Sequence, residues 1–127
     1  MPGKHLFEYA VIRVVPRVER EEFLNVGVIL YCKDRGFLEC RYILNKERLQ
    51  SLCGSLDCDE VEEHLRAFDW ICSGDSKGGS IAKLDTASRF RWLTATRSTV
   101  VQSSKVHPGL CEDPKEELDK LYMQLVL

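Results

Sequence analysis

Hydrophobic and polar positions alternate almost from the start of the chain. In "FEYAVIRVV", Phe7, Tyr9, Val11, Arg13 and Val15 fall on one face of an extended segment, and Glu8, Ala10, Ile12 and Val14 fall on the other. Pro16 ends this strand, because proline cannot donate to a sheet ladder. The charged segment through Glu22 reads as a loop or a single helical turn. "NVGVILYC" predicts a second strand, "KDRG" a turn ending on Gly36, and "FLECRYIL" a third strand. The second and third strands make a hairpin over Asn25–Leu44. The first joins them in an antiparallel meander.

After Asn45 the period changes from two to about 3.6. "NKERLQSL" predicts a short helix ending near Gly54. Asp59 reads as an N-cap with Glu62 as its capping-box partner. Behind it, Val61, Leu65, Phe68 and Cys72 form one apolar stripe. "SGDSKGGS" reads as a flexible loop. "TASRFRWLTA" predicts a helix, "STVVQSS" a late strand and "KVHPGLCEDP" a loop. The last helix is capped by Asp113, with Pro114 at its first position and Glu116 as box partner. Its buried face is Leu118, Leu121, Tyr122, Leu125 and Val126.

The predicted order is β-β-β-α-α-α-β-α, with strands first and helices after. That order indicates an α+β fold: an N-terminal antiparallel β-meander, a helical middle, a late strand rejoining the sheet and a C-terminal helix. The 127 residues, 44% apolar, fit a single domain spanning 1–127. No apolar stretch reaches the roughly 20 residues of a membrane helix, and the first segment lacks the layout of a signal peptide. The expectation is a soluble cytoplasmic protein without a membrane partner. The net charge of −2 argues against bulk nucleic-acid binding, although local patches can override it.

Six cysteines, at 32, 40, 53, 58, 72 and 111, are expected as reduced thiols. Cys53, Cys58, His64 and Cys72 lie close in sequence, but C-x4-C-x5-H-x7-C lacks the tight pairs of structural zinc sites, and Cys72 sits on the apolar stripe. No metal or other cofactor is expected. No G-x-S-x-G elbow or phosphate loop is present.

Two stretches carry the polar candidates. The first is "VEREEFLNVGVIL". Gly27 within a strand marks a bulge or a close backbone approach. Asn25, where turn becomes strand, is read first as bonding local backbone and second as facing a ligand. Arg13, on an otherwise apolar face, needs a carboxylate partner, with Glu19, Glu21 and Glu22 in reach, or else a pocket edge. The second is "RFRWLTATRSTVVQSSKVHPG". Acidic residues are absent from Thr86 to Cys111, and Arg97, Ser98, Thr99, Gln102 and His107 offer groups for phosphate or carboxylate. His107 is a candidate general base, since a free imidazole titrates near neutrality. Trp92 beside arginines offers a stacking surface for a base, but a core position is the preferred reading. His64 reads as flanking its stripe, and His5 as part of a frayed start.

"YAVIRVVPRVEREEFLNVGVILYC" and "RFRWLTATRSTVVQSSKVHPGL" together resemble the two signature segments of a bacterial family, domain of unknown function 3037 (DUF3037). The resemblance covers nearly the whole chain. Thr96 and Ser103 stand where the pattern has proline. The family has no established activity, so the resemblance implies no catalytic residues. It implies a protein partner by association, since some members resemble products encoded beside HipA-like kinases. Positions of this chain within the signatures include Arg13, Arg17, Glu22, Asn25, Arg97, Ser98, Thr99, Gln102 and His107.

Two functions follow. One is a non-enzymatic accessory protein that binds a partner, such as a HipA-like kinase. The other is a binding or enzymatic domain for an anionic ligand: a nucleotide, a phosphoester or a nucleic-acid end. In the second, Arg13, Arg17 and Arg97 hold the anion, and Glu22 or His107 moves protons. The absence of a catalytic frame favours the first. Oligomeric state stays open.

Overall fold

The computed structural model describes residues 3–16, 22–52, 54–95, 97 and 99–127. The strands are β1 His5–Val14, β2 Leu24–Cys32, β3 Phe37–Tyr42, β4 Val101–Ser103 and β5 His107–Cys111. The helices are α1 Lys46–Leu52, α2 Cys58–Ser73, α3 Thr86–Leu93 and α4 Pro114–Leu125. The fold is α+β, with one antiparallel sheet in the order β3-β2-β1-β4 and β5 also paired to β1.

Burial on both faces explains why β2 is central. Every residue from Val26 to Cys32 is buried, as expected of a strand covered on both sides. Ala10, Ile12, Val14, Ile29, Tyr31 and Leu38 pack against α1, α2 and α3 through Leu49, Val61, Leu65, Phe68, Phe90 and Leu93. Phe7, Val28, Leu30 and Cys32 pack against α4 and the residue after it through Leu118, Leu121, Tyr122 and Val126. The helical stripes read from the sequence are the surfaces that cover the sheet.

Gly27 satisfies both meanings of a strand glycine. The register jumps from Ile12↔Gly27 to Arg13↔Asn25, so Val26 is an extra residue in β2. A Cβ on Gly27 would lie 2.7 Å from the Arg41 carbonyl oxygen and 2.7 Å from Tyr42 Cβ. The bulge reverses the alternation. Val26 joins Ile29 in the core under α2, and Asn25 turns toward α4.

Several sequence expectations are corrected. "KVHPGLCEDP" is not all loop, because β5 pairs with β1 from His5↔Cys111 to Tyr9↔His107. β4 and β5 lie along the same edge of β1, and the register slips by one residue between them. Buried Ser104 bridges the slip: its N–H donates to the Val11 carbonyl (2.8 Å) and its Oγ accepts from the Val11 N–H (2.8 Å). His5 is therefore the first residue of a paired strand and not a frayed end. The α2 cap is Asp57, whose carboxylate accepts from the Asp59 and Glu60 N–H groups. The cap sits two residues before the expected one because Cys58 is already helical and buried. "SGDSKGGS" holds a 3-10 turn, Ser76–Gly78, capped by Asp75. The Asp113–Pro114 start of α4 is as expected.

Candidate functional site

The sheet brings Arg13, Asn25 and Gln102 together. Arg13 lies between the other two, opposite Asn25 on β2 and Gln102 on β4. Its guanidinium sits over the exposed Phe23 ring, 4.2 Å from the centroid, a cation–π contact. Asn25 does not bond local backbone as expected. Its Nδ2 donates to the Leu125 carbonyl at the end of α4, 3.2 Å away. This satisfies one of the acceptors that a helix C-terminus leaves open.

Two polar atoms here are buried and unpaired among the described residues: Arg13 Nε and Asn25 Oδ1. One is a donor and the other an acceptor. A group that both accepts and donates, such as an amide or a hydroxyl, complements the pair. A phosphate complements only the arginine. Glu22 is partly buried at the entrance to β2. Gln102 is held by its own turn, with Nε2 donating to the Thr99 carbonyl (2.7 Å) and Thr99 Oγ1 donating to the Val101 carbonyl (2.7 Å).

The remaining candidates lie elsewhere. His107 is exposed on β5 and packs beside Tyr9, with ring centroids 5.3 Å apart. Tyr9 precedes Arg13 by four residues on one strand, a spacing of ~13 Å. Arg97 stacks on Trp92, 4.0 Å from the ring centroid, and donates to the Trp92 carbonyl. Burial holds its guanidinium below the ordinary value. Trp92 is 40% exposed, which corrects the expectation of a core tryptophan. Arg17, Ser98 and the expected partners Glu19 and Glu21 lie outside the described residues, as does Cys53.

Arg89, within the basic stretch, is structural. Its Nη1 donates to the Ile71 and Cys72 carbonyls (2.9 and 2.8 Å), and its Nε donates to the Leu84 carbonyl (3.0 Å). It closes the C-terminus of α2, which is also where cationic charge is favoured. Cys58 and Cys72 stand near opposite ends of α2, ~21 Å apart along its axis, so they cannot share one ion with His64. His64 instead faces Glu60 at 3.9 Å.

The linear pattern did not single out a cavity of about 470 Å³ between β3 and α2. Its wall includes Arg35, Cys40, Asp69, Cys72, Thr86 and Arg89. The available signal was the alternation of β3, which turns Leu38, Cys40 and Tyr42 toward α2, and the Asp69–Cys72 spacing of one helical turn.

A family model described as "Protein of unknown function (DUF3037)" matches residues 9–126. The chain belongs to the DUF3037 family. No curated protein and no solved structure matches it. The match takes in α1–α4, β2–β5 and β1 from Tyr9 onward, including the Arg13–Asn25–Gln102 junction. Among the described residues, no helix is long and apolar enough to cross a membrane.

Proposed function

We propose that this DUF3037 protein is a non-enzymatic accessory protein that works by binding a protein partner, with a HipA-like kinase as the partner its family association implies. The observation that supports this is a cross-strand pair, Leu6 on β1 and Leu110 on β5, which are 59% and 57% exposed. Directly opposed residues share a face of the sheet, so these two leucines form one apolar spot. Leu110 lies on β5, the outer strand of this edge, and Leu6 on its neighbour, where a further chain can dock. The test is co-expression with the kinase and size-exclusion chromatography. A single co-eluting peak that Leu110→Arg splits supports the proposal. Separate peaks with the unaltered protein overturn it.

A second reading is carried by the unpaired Arg13 Nε: a site for an anionic ligand such as a nucleotide, phosphoester or nucleic-acid end, with Asn25 Oδ1 left to a donor group of that ligand. A ligand at 100 times its Kd adds about 2.7 kcal/mol of stability. A thermal shift with one of these classes, lost in Arg13→Met, supports this reading. An equal shift in both proteins rejects it.

A further inference from the structure

We propose that Cys40 and Cys72 are a redox-active dithiol that closes to a disulfide between β3 and α2 by exchange with oxidised glutathione. Nothing in the family match assigns a role to either residue.

The two thiols come from different layers and share one cavity wall. Cys40 points from β3 toward α2, and its Sγ donates to Asp69 Oδ1 at 3.8 Å. Cys72 lies one turn beyond Asp69 on the same helix face and lines the same cavity wall as Cys40. Cys40 is partly exposed, whereas Cys72 is 4% exposed. That difference assigns the roles: Cys40 meets the reagent through the cavity mouth, and Cys72 resolves from beneath. The other described cysteines include no partly exposed thiol to meet the reagent. Cys32 and Cys58 are buried in the two cores, and Cys111 is buried beside Cys32.

The chemistry balances in two exchanges. The Cys40 thiol loses its proton to solvent, and its sulfur attacks one sulfur of oxidised glutathione. That S–S bond breaks, and one glutathione leaves as thiolate and takes up a proton. Cys72 then loses its proton and attacks the Cys40 sulfur of the mixed disulfide, expelling the second glutathione. Two protein thiols are oxidised and one glutathione disulfide is reduced to two thiols.

The test uses the full chain. Protein is incubated with oxidised glutathione, denatured, alkylated with iodoacetamide and cut with trypsin. Cleavage after Arg35, Arg41, Arg66 and Lys77 places Cys40 in peptide 36–41 and Cys72 in peptide 67–77. The expected product is the two peptides joined, lighter than their sum by two hydrogens and separated by dithiothreitol. In Cys72→Ser, Cys40 should instead keep one glutathione. If wild-type Cys40 is recovered alkylated, or keeps its glutathione while Cys72 is alkylated, the proposal is wrong. The wild-type arm decides even if the variant does not fold.

Discussion

Arg13 and Asn25 face each other across β1 and β2, immediately past the bulge at Val26, and each buries an unpaired group that the other could complete. Arg13 presents Nε–H, Asn25 presents Oδ1, and the Asn25 amide nitrogen is already committed to the end of α4. Asn25 thus links the sheet to the C-terminal helix. Asn25→Ala should cost about 1–3 kcal/mol, since it strips a partner from the Leu125 carbonyl and leaves Arg13 more isolated. Urea unfolding of Asn25→Ala, Arg13→Met and the double variant should give a coupling of roughly 0.5 kcal/mol or more. Strict additivity would mean the two residues ignore each other.

The bulge depends on Gly27. Its missing Cβ is the space used by the Arg41 carbonyl and Tyr42 Cβ. Both belong to the neighbouring strand, so neither can swing away as a flexible side-chain end would. Gly27→Ala should lower stability by about 1–3 kcal/mol through overpacking. Gly54→Ala is the control, because the nearest atom to its added Cβ is 4.0 Å away. Equal urea midpoints for the two variants would contradict this account of Gly27.

The parts of the fold that the chain's own pattern disclosed are those built on local rules. The apolar run Val26–Cys32 specifies a strand buried on both faces, and Asp113–Pro114 marks the start of α4, whatever the rest of the chain does. β5 was hidden because Pro108 and Gly109 are turn residues by local chemistry. Their place is set by β1, where a Cβ on Gly109 would fall 2.5 Å from Phe7 Cζ, so the glycine makes room for that ring. Asn25 was recognised as a polar residue with a task, but its acceptor lies 100 residues away. Arg97 and His107 were grouped with Arg13 because one basic stretch contains both. The sheet register separates them: His107 goes to Tyr9 and Gln102 goes to Arg13.

Arg89 makes the same contrast testable. An arginine in a basic stretch reads as an anion ligand, yet here its fork is spent on carbonyls of Ile71, Cys72 and Leu84. Gly74, with φ of 74°, ends α2 beside it. Arg89→Met should cost about 2–3 kcal/mol, because the part-buried Ile71 and Cys72 carbonyls lose a charged donor. Arg89→Lys should recover only part of that, since an ammonium cannot reproduce the planar fork. Full recovery in lysine, measured by urea unfolding, would show that charge alone matters.

The buried thiol of Cys72 makes stability fall in alkaline solution. Interaction of its protonated thiol with the Cys40 sulfur, burial, and the nearby charges of Cys40 and Asp69 push its pKa well above the ordinary range. A group whose folded-state pKa is raised contributes stability that is complete below its unfolded pKa, about 8.5 for a thiol. That contribution is lost as pH rises from there toward the folded value, because the unfolded chain releases the proton first. Cys111 and Tyr42 are shifted the same way, mainly by burial, and add to the slope. The reduced protein should therefore show urea midpoints that decline above roughly pH 8.5, with a shallower decline in Cys72→Ala. Parallel declines for the two proteins would assign the alkaline loss to Cys111 and Tyr42 instead.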